Sequence, residues 1–302
     1  MFFKTPLDYE LPLFRPPSEG RSLLIQVTIG CSNNKCTYCD MYRSKSYRVR
    51  SILDIYSDLN KSAHFLKAQG KRPDKIFLCD GDALGAPMNT LEQTLDYLNF
   101  LFPEIRSIGI YATAQNILDK SEEELKILAS KKLNIVYLGL ESGDSEVLHL
   151  IVKGNTSNDM LEASLKIKKC HLKLSTIAML GVGGKKLSQQ HVFNTAKILG
   201  ETSPHFFSFL TTFAVPGTPY HKMIERTLIS PLTKKELLQE MHDILDLAQF
   251  KSNSIIFRAN HVSNMLPIGG VIPRDTSVIL KQIKEWIEQT PAGVYPTPPL
   301  QM

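Results

Sequence analysis

Three cysteines, Cys31, Cys36 and Cys39, lie within nine residues in the spacing C-x4-C-x2-C. Thiolates grouped in one short segment are typical of a metal centre. A closed zinc site needs four ligands, and no fourth Cys or His stands at finger-like spacing. Three thiolates on a 4Fe–4S cluster would leave one iron open, so we favour a cluster. The alternatives are a zinc loop that borrows a distant ligand such as His64, and plain reduced thiols.

The cysteine segment resembles that of the radical S-adenosylmethionine (SAM) superfamily, whose usual spacing is C-x3-C-x2-C. Further motifs resemble the Elongator- and coproporphyrinogen-oxidase-like branch of that superfamily, and the similarity runs from about residue 20 to residue 220. Asp80-Gly-Asp82 stands where the branch has Gly-Gly-Glu. The other matching segments are Gly139-Leu-Glu-Ser-Gly143, Lys153-Gly-Asn-Thr156, Met179-Leu-Gly-Val-Gly-Gly184 and Val215-Pro-Gly-Thr-Pro219. The end of the chain resembles stand-alone members whose substrate is mostly unassigned.

The resemblance implies a role for each matching residue. Cys31, Cys36 and Cys39 would bind the cluster, and the remaining iron would take the amino and carboxylate groups of SAM. The other matching residues would bind SAM: Tyr38 and Val215 at the adenine, Gly81 and Asp82 at the methionine ammonium, Glu141 at the ribose or methionine end, and Lys153 at the carboxylate, with Thr113 and Ser142 nearby.

The function that the resemblance implies is that of a radical enzyme, an oxidoreductase that cleaves SAM to methionine and a 5′-deoxyadenosyl radical. The electron would come from a reductant such as flavodoxin or ferredoxin. Two alternatives stay open: an accessory carrier of iron–sulfur or another cofactor without turnover, and a radical enzyme that modifies RNA. The extra RNA-binding domain usual in RNA-modifying members is not visible in the sequence. We therefore favour a small molecule or cofactor precursor as the substrate over RNA.

The sequence does not assign a catalytic residue. Cys79 is a candidate hydrogen donor to a substrate radical, although it and Cys170 also suit small buried side chains. Arg258 and His261 lie at the end of a short strand and in the loop after it, and they are candidate substrate contacts, because loops at strand ends often bind ligands. Two features also allow ordinary structural roles. An ordinary turn with Asp80 as its cap is the alternative interpretation of Asp80-Gly-Asp82. The basic residues between 42 and 50 are interpreted as a solvated charge run, with contact to an anionic substrate as the alternative.

Strands and helices alternate along the chain from residue 23 and must position these residues. Apolar runs predict strands at 23–29, 75–80, 107–112, 134–140, 172–180 and 206–213. Helical patterns lie between them, at about 51–69, 90–101, 121–130, 144–151, 157–170 and 188–199. Apolar strands without polar alternation are typical of a parallel sheet covered by helices on both faces. We therefore predict an α/β fold, a partial (β/α)6 TIM-like barrel, with the cysteines at the carboxyl end of the first strand, where such folds build active sites.

Three parts are predicted along the chain: an N-terminal extension at 1–20, the core barrel at 21–216, and a C-terminal helical and loop extension at 217–302. The extension should contain a helix at 232–249, a short strand at 255–259, a loop at 260–275 and a last helix that ends near Gln289. We expect this part to pack on the barrel.

Composition and charge set the class of protein. The chain has 302 residues, of which 43% are hydrophobic and 22% charged, so it can bury a full core and is not a disordered protein. A net charge of +5 does not by itself indicate a nucleic-acid partner. No apolar run approaches about 18 residues and no secretory leader is evident, so we expect no membrane association. Clustered cysteines without a disulfide pattern favour a reducing compartment, and we expect a cytoplasmic enzyme.

Overall fold

The computed structural model describes residues 6–298, and the chain divides into two compact units. The first unit consists of the residues up to Asn34, together with Met41–Leu138 and Lys166–Lys173. The second unit consists of Lys35–Asp40, Gly139–Leu165 and the residues from Leu174 onward.

Most strands of the first unit are parallel and lie in a buried core. They are β1 (Leu23–Gln26), β2 (Thr28–Ile29), β3 (Arg48–Val49), β4 (Lys75–Cys79), β5 (Ser107–Ala112) and most of β6 (Leu133–Glu141). β1, β4, β5 and β6 lie side by side in that order, all parallel, and β2 and β3 form a separate antiparallel pair. Ile25, Phe77 and Ile110 are completely buried. Strands that are covered on both faces need apolar side chains at successive positions, which explains why these strands are continuous apolar runs rather than alternating ones.

Most helices of the first unit start at an N-cap residue whose side chain accepts a hydrogen bond from the backbone of the first turn. The helices are α1 (Ile52–Ala68), α2 (Met88–Leu101), α3 (Ala114–Asp119) and α4 (Glu122–Ser130). Ser51 Oγ accepts a hydrogen bond from Asp54 N at the start of α1. Ser121 and Glu124 form the capping box predicted for α4.

The second unit holds the remaining elements. Its helices are α5 (Ser145–Leu150), most of α6 (Ser157–Lys169), α7 (Gly184–Thr202), α8 (Pro219–Glu225), α9 (Lys234–Leu247) and α10 (Thr276–Gln289). Its strands are β7 (Lys173–Leu180), β8 (Phe206–Thr211), β9 (Ile255–Arg258) and β10 (Gly269–Ile272). β7, β8 and β9 are parallel, whereas β10 runs antiparallel to β9. Among the described residues, no helix combines the length and the apolar character that a membrane crossing requires.

The predicted α/β fold is confirmed: within residues 6–298, each unit consists of mostly parallel strands with helices between them along the chain. Several local predictions are wrong. The first predicted strand breaks at Val27, and β10 lies in the stretch predicted as a loop, where Gly269 and Gly270 weaken the strand pattern. α7 begins four residues early, inside the glycine-rich turn, and β3, α3 and α8 were not predicted. The three-part division of the chain stays a prediction.

Candidate functional site

The three cysteines predicted to bind a cluster lie in the loop that follows β2. None of the three forms a disulfide bond within the described residues, and all three are half-buried. Cys39 N donates a hydrogen bond to Cys36 O at 3.3 Å, so the second and third cysteines share one turn. Within the described residues, no three Cys, His, Asp or Glu side chains form a ready-made site for one metal ion. Three cysteines in one short segment are a donor set that an iron–sulfur cluster uses, and their role as its ligands stays a prediction.

Gly81 follows β4 and packs directly against the first cysteine. A Cβ atom here would lie 2.5 Å from a carbon of the Tyr42 ring and 3.0 Å from Cys31 Cβ. Gly81 N also donates to Gly30 O at 3.0 Å, which holds the end of β4 against the residue before Cys31. Only glycine fits between the aromatic ring and the cysteine, so the structure gives this position a local reason to lack a side chain.

Asp82 is completely buried, and each hydrogen bond that it accepts within residues 6–298 comes from an uncharged group. Thr113 N and Thr113 Oγ1 donate to its carboxylate at 3.1 and 3.2 Å, and Ser32 Oγ and Asn116 Nδ2 donate at shorter range. No ion pair within residues 6–298 includes Asp82. Burial raises the pKa of Asp82, while these donors act in the opposite direction. The result is a desolvated carboxyl group with no cation in direct contact among residues 6–298, although its charge acts on Lys120 from a greater distance.

Two of the residues around Asp82 were missed by the sequence analysis, which named Thr113 alone. Ser32 lies one residue after Cys31, and Asn116 lies in the first turn of α3. Both are separated from Asp82 by more than thirty residues along the chain. No local sequence pattern could have identified them, because the fold alone brings them to the carboxylate.

The interpretation of Asp80 as a turn cap is wrong. Its Oδ2 atom lies 2.6 Å from Lys45 Nζ, and both side chains are buried. Lys45 Nζ also donates to Glu10 O and Pro12 O at 2.5 and 2.6 Å. The interpretation of residues 42–50 as a solvated charge run is therefore wrong at Lys45, because this ammonium group is enclosed by oxygen acceptors.

Glu141 ends β6 in a strained conformation that fixes its side chain. Its φ angle is +60°, and Ser142 N donates to Leu140 O at 2.7 Å across it, which makes a tight three-residue turn. A positive φ is uncommon outside glycine and is often found where function requires a fixed geometry. Lys153 Nζ donates to Glu141 Oε1 at 2.9 Å. A Cβ atom on Gly139 would lie 2.2 Å from Oε1, so the glycine makes room for the carboxylate.

Tyr38 lies between two of the cysteines and close to the Glu141 carboxylate. Burial raises the pKa of Tyr38, and the charges of Glu141, Cys36 and Cys39 raise it further. The phenol therefore stays protonated and can donate a hydrogen bond. In the second unit, the structure thus brings together Tyr38, Glu141 and Lys153, three of the residues predicted to bind SAM.

The Ser142 hydroxyl belongs to a buried hydrogen-bond network next to Glu141. Its hydroxyl is hydrogen-bonded to His191 Nδ1 at 2.8 Å and accepts from Asp144 N at 3.0 Å. Burial lowers the pKa of His191 to about 4, so this imidazole is neutral at pH 7. A Cβ atom on Gly143 would lie 2.2 Å from Asn194 O in α7. Ser142 and Gly143 therefore anchor the strained turn on α7, and a contact of Ser142 with SAM stays a prediction.

The remaining candidates differ in accessibility. Val215 is half-exposed in a turn before α8, where Thr218 N donates to its carbonyl oxygen at 3.1 Å. Cys79 is completely buried and its Sγ lies 3.4 Å from Ile25 O, while burial raises the pKa of the thiol. These contacts favour the structural alternative for Cys79.

Arg258 and His261, the two candidate substrate contacts, have different surroundings. Arg258 is exposed at the end of β9, and its guanidinium donates to Phe257 O at 2.7 Å. His261 is half-buried and hydrogen-bonded to Ser263 Oγ at 2.9 Å, and burial lowers its pKa. Ser263 Oγ in turn accepts from Thr211 N at 3.2 Å, so His261 orients a loop that is attached to the end of β8.

Comparison with known proteins adds the family and its relatives. The family model of the Radical SAM superfamily matches residues 25–196. The chain is 26% identical over 230 residues to the tRNA-2-methylthio-N(6)-dimethylallyladenosine synthase of Bacillus licheniformis, covering 74% of this chain and 43% of the synthase. It is 23% identical over 215 residues to the heme chaperone HemW of Bacillus subtilis, covering 70% and 55%. The chain thus spans about half the length of these curated relatives.

A solved structure with a similar fold is the coproporphyrinogen III oxidase HemN of Escherichia coli, described as a radical SAM enzyme. The TM-score is 0.58 at 17% identity, and the match covers 75% of this chain and 52% of HemN. At this identity the similarity shows a shared fold, in agreement with the predicted α/β architecture.

Proposed function

The chain belongs to the radical SAM superfamily, and on this premise we propose that it binds a 4Fe–4S cluster through Cys31, Cys36 and Cys39 and cleaves SAM reductively. The donor set supports this proposal, because three thiols share one short loop and the first of them packs against Gly81. When bound, the cluster and SAM would supply a 5′-deoxyadenosyl radical able to remove a hydrogen atom from a substrate. The electron would come from a small reductant such as flavodoxin or ferredoxin.

The buried carboxylate of Asp82 is the observation that carries the proposal. Ionised carboxylates are costly to bury unless a cation compensates them. Every protein donor that reaches Asp82 within residues 6–298 is uncharged. The methionine ammonium of SAM would supply the missing positive charge, and Gly81 would let the ligand approach the backbone beside it.

Glu141, Lys153 and Tyr38 are proposed to hold another part of SAM. Lys153 orients the Glu141 carboxylate through its 2.9 Å contact. An oriented carboxylate can accept hydrogen bonds from a ribose hydroxyl, and the Tyr38 ring offers a flat apolar surface to an adenine. Thr113, Ser142 and Val215 remain proposed neighbours of SAM.

One face of β7, β8 and β9 supports a small-molecule substrate. Ile177, Ser208 and Arg258 lie in register across these three strands and are half-exposed or exposed, although they occupy a central sheet. The opposite face is closed, since Phe207, Phe209 and Phe257 are completely buried. Phe206, Leu210 and Ile256, at alternating positions of the same strands, are half-exposed as well. A largely apolar surface with one guanidinium at its edge suits a small molecule that carries an anionic group. A face that binds RNA would be expected to present several cations to the phosphates.

The similarity to two relatives supports two alternative functions. The similarity to a tRNA-modifying synthase favours RNA as the substrate, and the similarity to a heme chaperone favours a carrier that does not turn over. The first candidate changes the substrate, and the second removes the catalytic turnover. Both candidates, like the small-molecule enzyme, require the proposed cluster.

Anaerobic reduction of the iron-loaded protein with SAM tests the proposal. We expect 5′-deoxyadenosine and methionine to form, measured by liquid chromatography with mass spectrometry, and the Asp82→Ala variant to form far less of both. An intact cluster without 5′-deoxyadenosine would favour the carrier. Addition of bulk transfer RNA that increases SAM consumption and leaves modified nucleosides would favour the RNA enzyme.

A further inference from the structure

Thr37, which stands between Cys36 and Cys39, is held by main-chain hydrogen bonds on both sides. Thr37 N donates to Ile151 O at 2.8 Å, and Thr37 O accepts from Tyr220 N at 3.0 Å. Ile151 is the residue that ends α5, two positions before Lys153. The segment that carries two of the cysteines is therefore held at Thr37 by two other segments of the chain, one at the amide and one at the carbonyl.

Tyr220 connects this segment to the glycine-rich turn after β7. It lies in the first turn of α8, after the N-cap Thr218 and Pro219, and is only 2% exposed. Its hydroxyl is 3.1 Å from both Gly181 O and Val182 O and donates its single proton between them. The backbone of Tyr220 thus holds Thr37 while its side chain is anchored on the turn.

A buried carboxylate fixes that turn in place. Gly181 has a φ angle of +76°, and its N atom donates to Glu240 Oε2 in α9 at 2.6 Å. Ser188 Oγ donates to the other carboxylate oxygen at 2.6 Å. Glu240 is 2% exposed, so these bonds are shielded from water and strong.

We propose that Tyr220 is a positioning residue for the segment that carries Cys36 and Cys39. Tyr220 connects Thr37 to the rigid turn that Glu240 holds, and it thereby fixes the spacing of the two cysteines. The purpose that we assign to this positioning rests on the proposed function, because it concerns cluster ligands. The mechanical part stands on the hydrogen bonds alone. Residues beyond a metal's ligands commonly orient those ligands, and here the supporting group comes from the part of the chain predicted as an extension.

Hydrogen exchange in the iron-free protein tests the mechanical part. Tyr220→Phe keeps the ring and the main-chain bond to Thr37 but removes the hydroxyl anchor. Losing one buried hydrogen bond should speed exchange at the Thr37 and Tyr220 amides about fivefold. Tyr295→Phe, at an exposed tyrosine of the same unit, should leave these amides unchanged. Glu240→Ala, which frees the turn itself, should speed the same amides at least as much as Tyr220→Phe.

The location of the amides whose hydrogen exchange changes in Tyr220→Phe decides whether the proposal holds. Faster exchange confined to peptides that contain residues 36–39 and 220, with α4 unaffected, supports the proposal. Unchanged exchange at Thr37, or equal acceleration throughout the protein, overturns it. In iron-loaded protein, the rate of iron transfer to a chelator should rise severalfold in Tyr220→Phe and not in Tyr295→Phe. A parent protein that fails to take up iron would contradict the proposed function, while the exchange experiment would still decide whether Tyr220 positions the segment.

Discussion

Lys45 Nζ lies 2.6 Å from Asp80 Oδ2, with 2% of the lysine side chain and none of the aspartate side chain exposed. The pair joins the segment that follows the cysteines to the end of β4, directly before Gly81 and Asp82. Gly30 N donates to the same aspartate oxygen at 3.1 Å, so the residue before Cys31 is held there too. One buried carboxylate oxygen thereby holds Gly30 and Lys45, which precede and follow the three cysteines in the sequence.

Breaking this pair from one side should destabilise the protein strongly. Lys45→Met would leave the Asp80 carboxylate buried without its cation, which typically costs about 3–5 kcal/mol. Adding Asp80→Asn to Lys45→Met should recover part of this loss, because no charge then remains buried. The free energy of unfolding in urea measures both variants. Arg72→Met, which removes an exposed pair with Glu104, is the control and should change little. If the double variant is less stable than Lys45→Met, the ion-pair explanation is wrong.

Asp82→Ala should weaken the binding of SAM while the cluster is retained. Loss of a desolvated hydrogen bond between charged groups is expected to cost about 1.5–3 kcal/mol, or roughly 10- to 150-fold in the dissociation constant. Equilibrium dialysis with the iron-loaded variants gives the affinity, and the visible spectrum gives the cluster content. Asp246→Asn, at an exposed position in α9, is the control. Equal affinity in parent and Asp82→Ala would remove Asp82 from the SAM site.

The affinity for SAM should also depend on pH through Asp82. Burial raises the pKa of this carboxyl group above the ordinary value of about 3.9. Only the ionised form pairs with an ammonium group, so affinity should fall as the pH decreases through this raised pKa. In Asp82→Asn the affinity should be low and nearly constant over the same range. A parallel pH dependence in both proteins would assign the titration to another group.

The sequence predicted the elements of the fold better than the contacts of the site. β5 and α4 formed as predicted because an apolar run and a capping box are local signals. Lys45 was misjudged because its burial depends on Asp80, 35 residues away along the chain. The motif around Glu141 did not reveal the positive φ of this residue. Contacts with Lys153 and the anchoring of Ser142 on α7 maintain that conformation, and they form only in the folded chain.

Cysteine substitutions should separate cluster ligands from structural thiols. Replacing Cys31, Cys36 and Cys39 together by Ala should abolish iron binding and the formation of 5′-deoxyadenosine. Replacing the buried Cys79 and Cys170 together by Ala should leave about four irons per chain, as one 4Fe–4S cluster requires. Iron analysis after anaerobic reconstitution measures both sets. A content near eight irons, or loss of the cluster in the Cys79 and Cys170 variant, would contradict a single cluster with three protein ligands.

Glu240 should make the stability of the protein depend on pH. Burial raises the pKa of this carboxyl group to about 7, from about 4.3 in an unfolded chain. Between these values the folded protein keeps a proton that the unfolded chain releases. The resulting stabilisation is complete below about pH 4.3 and is lost as the pH rises through about 7. Glu236 and Asp243, acids of the same helix, raise the pKa of Glu240 further.

Glu240→Gln isolates this effect because it stays neutral at every pH. Relative to the parent, its free energy of unfolding should rise between pH 5 and pH 8. Urea unfolding at several pH values measures the difference, with Glu288→Gln at an exposed site of α10 as the control. A constant difference across this range would show that Glu240 does not titrate there.

The two main-chain bonds of Thr37 limit where the cysteine segment can change in length. Both fall in the second gap, so an insertion between Cys36 and Cys39 would force one bond or the other out of register. In the first gap, Asn34 adopts a φ of +39°, and its Nδ2 donates to Tyr42 O and Lys45 O at 2.9 and 3.1 Å. Asparagine tolerates this conformation, and a reversal there can absorb an additional residue. The one-residue departure of this chain from the usual spacing falls in that gap, where evolution can alter the loop without disturbing the neighbouring ligands.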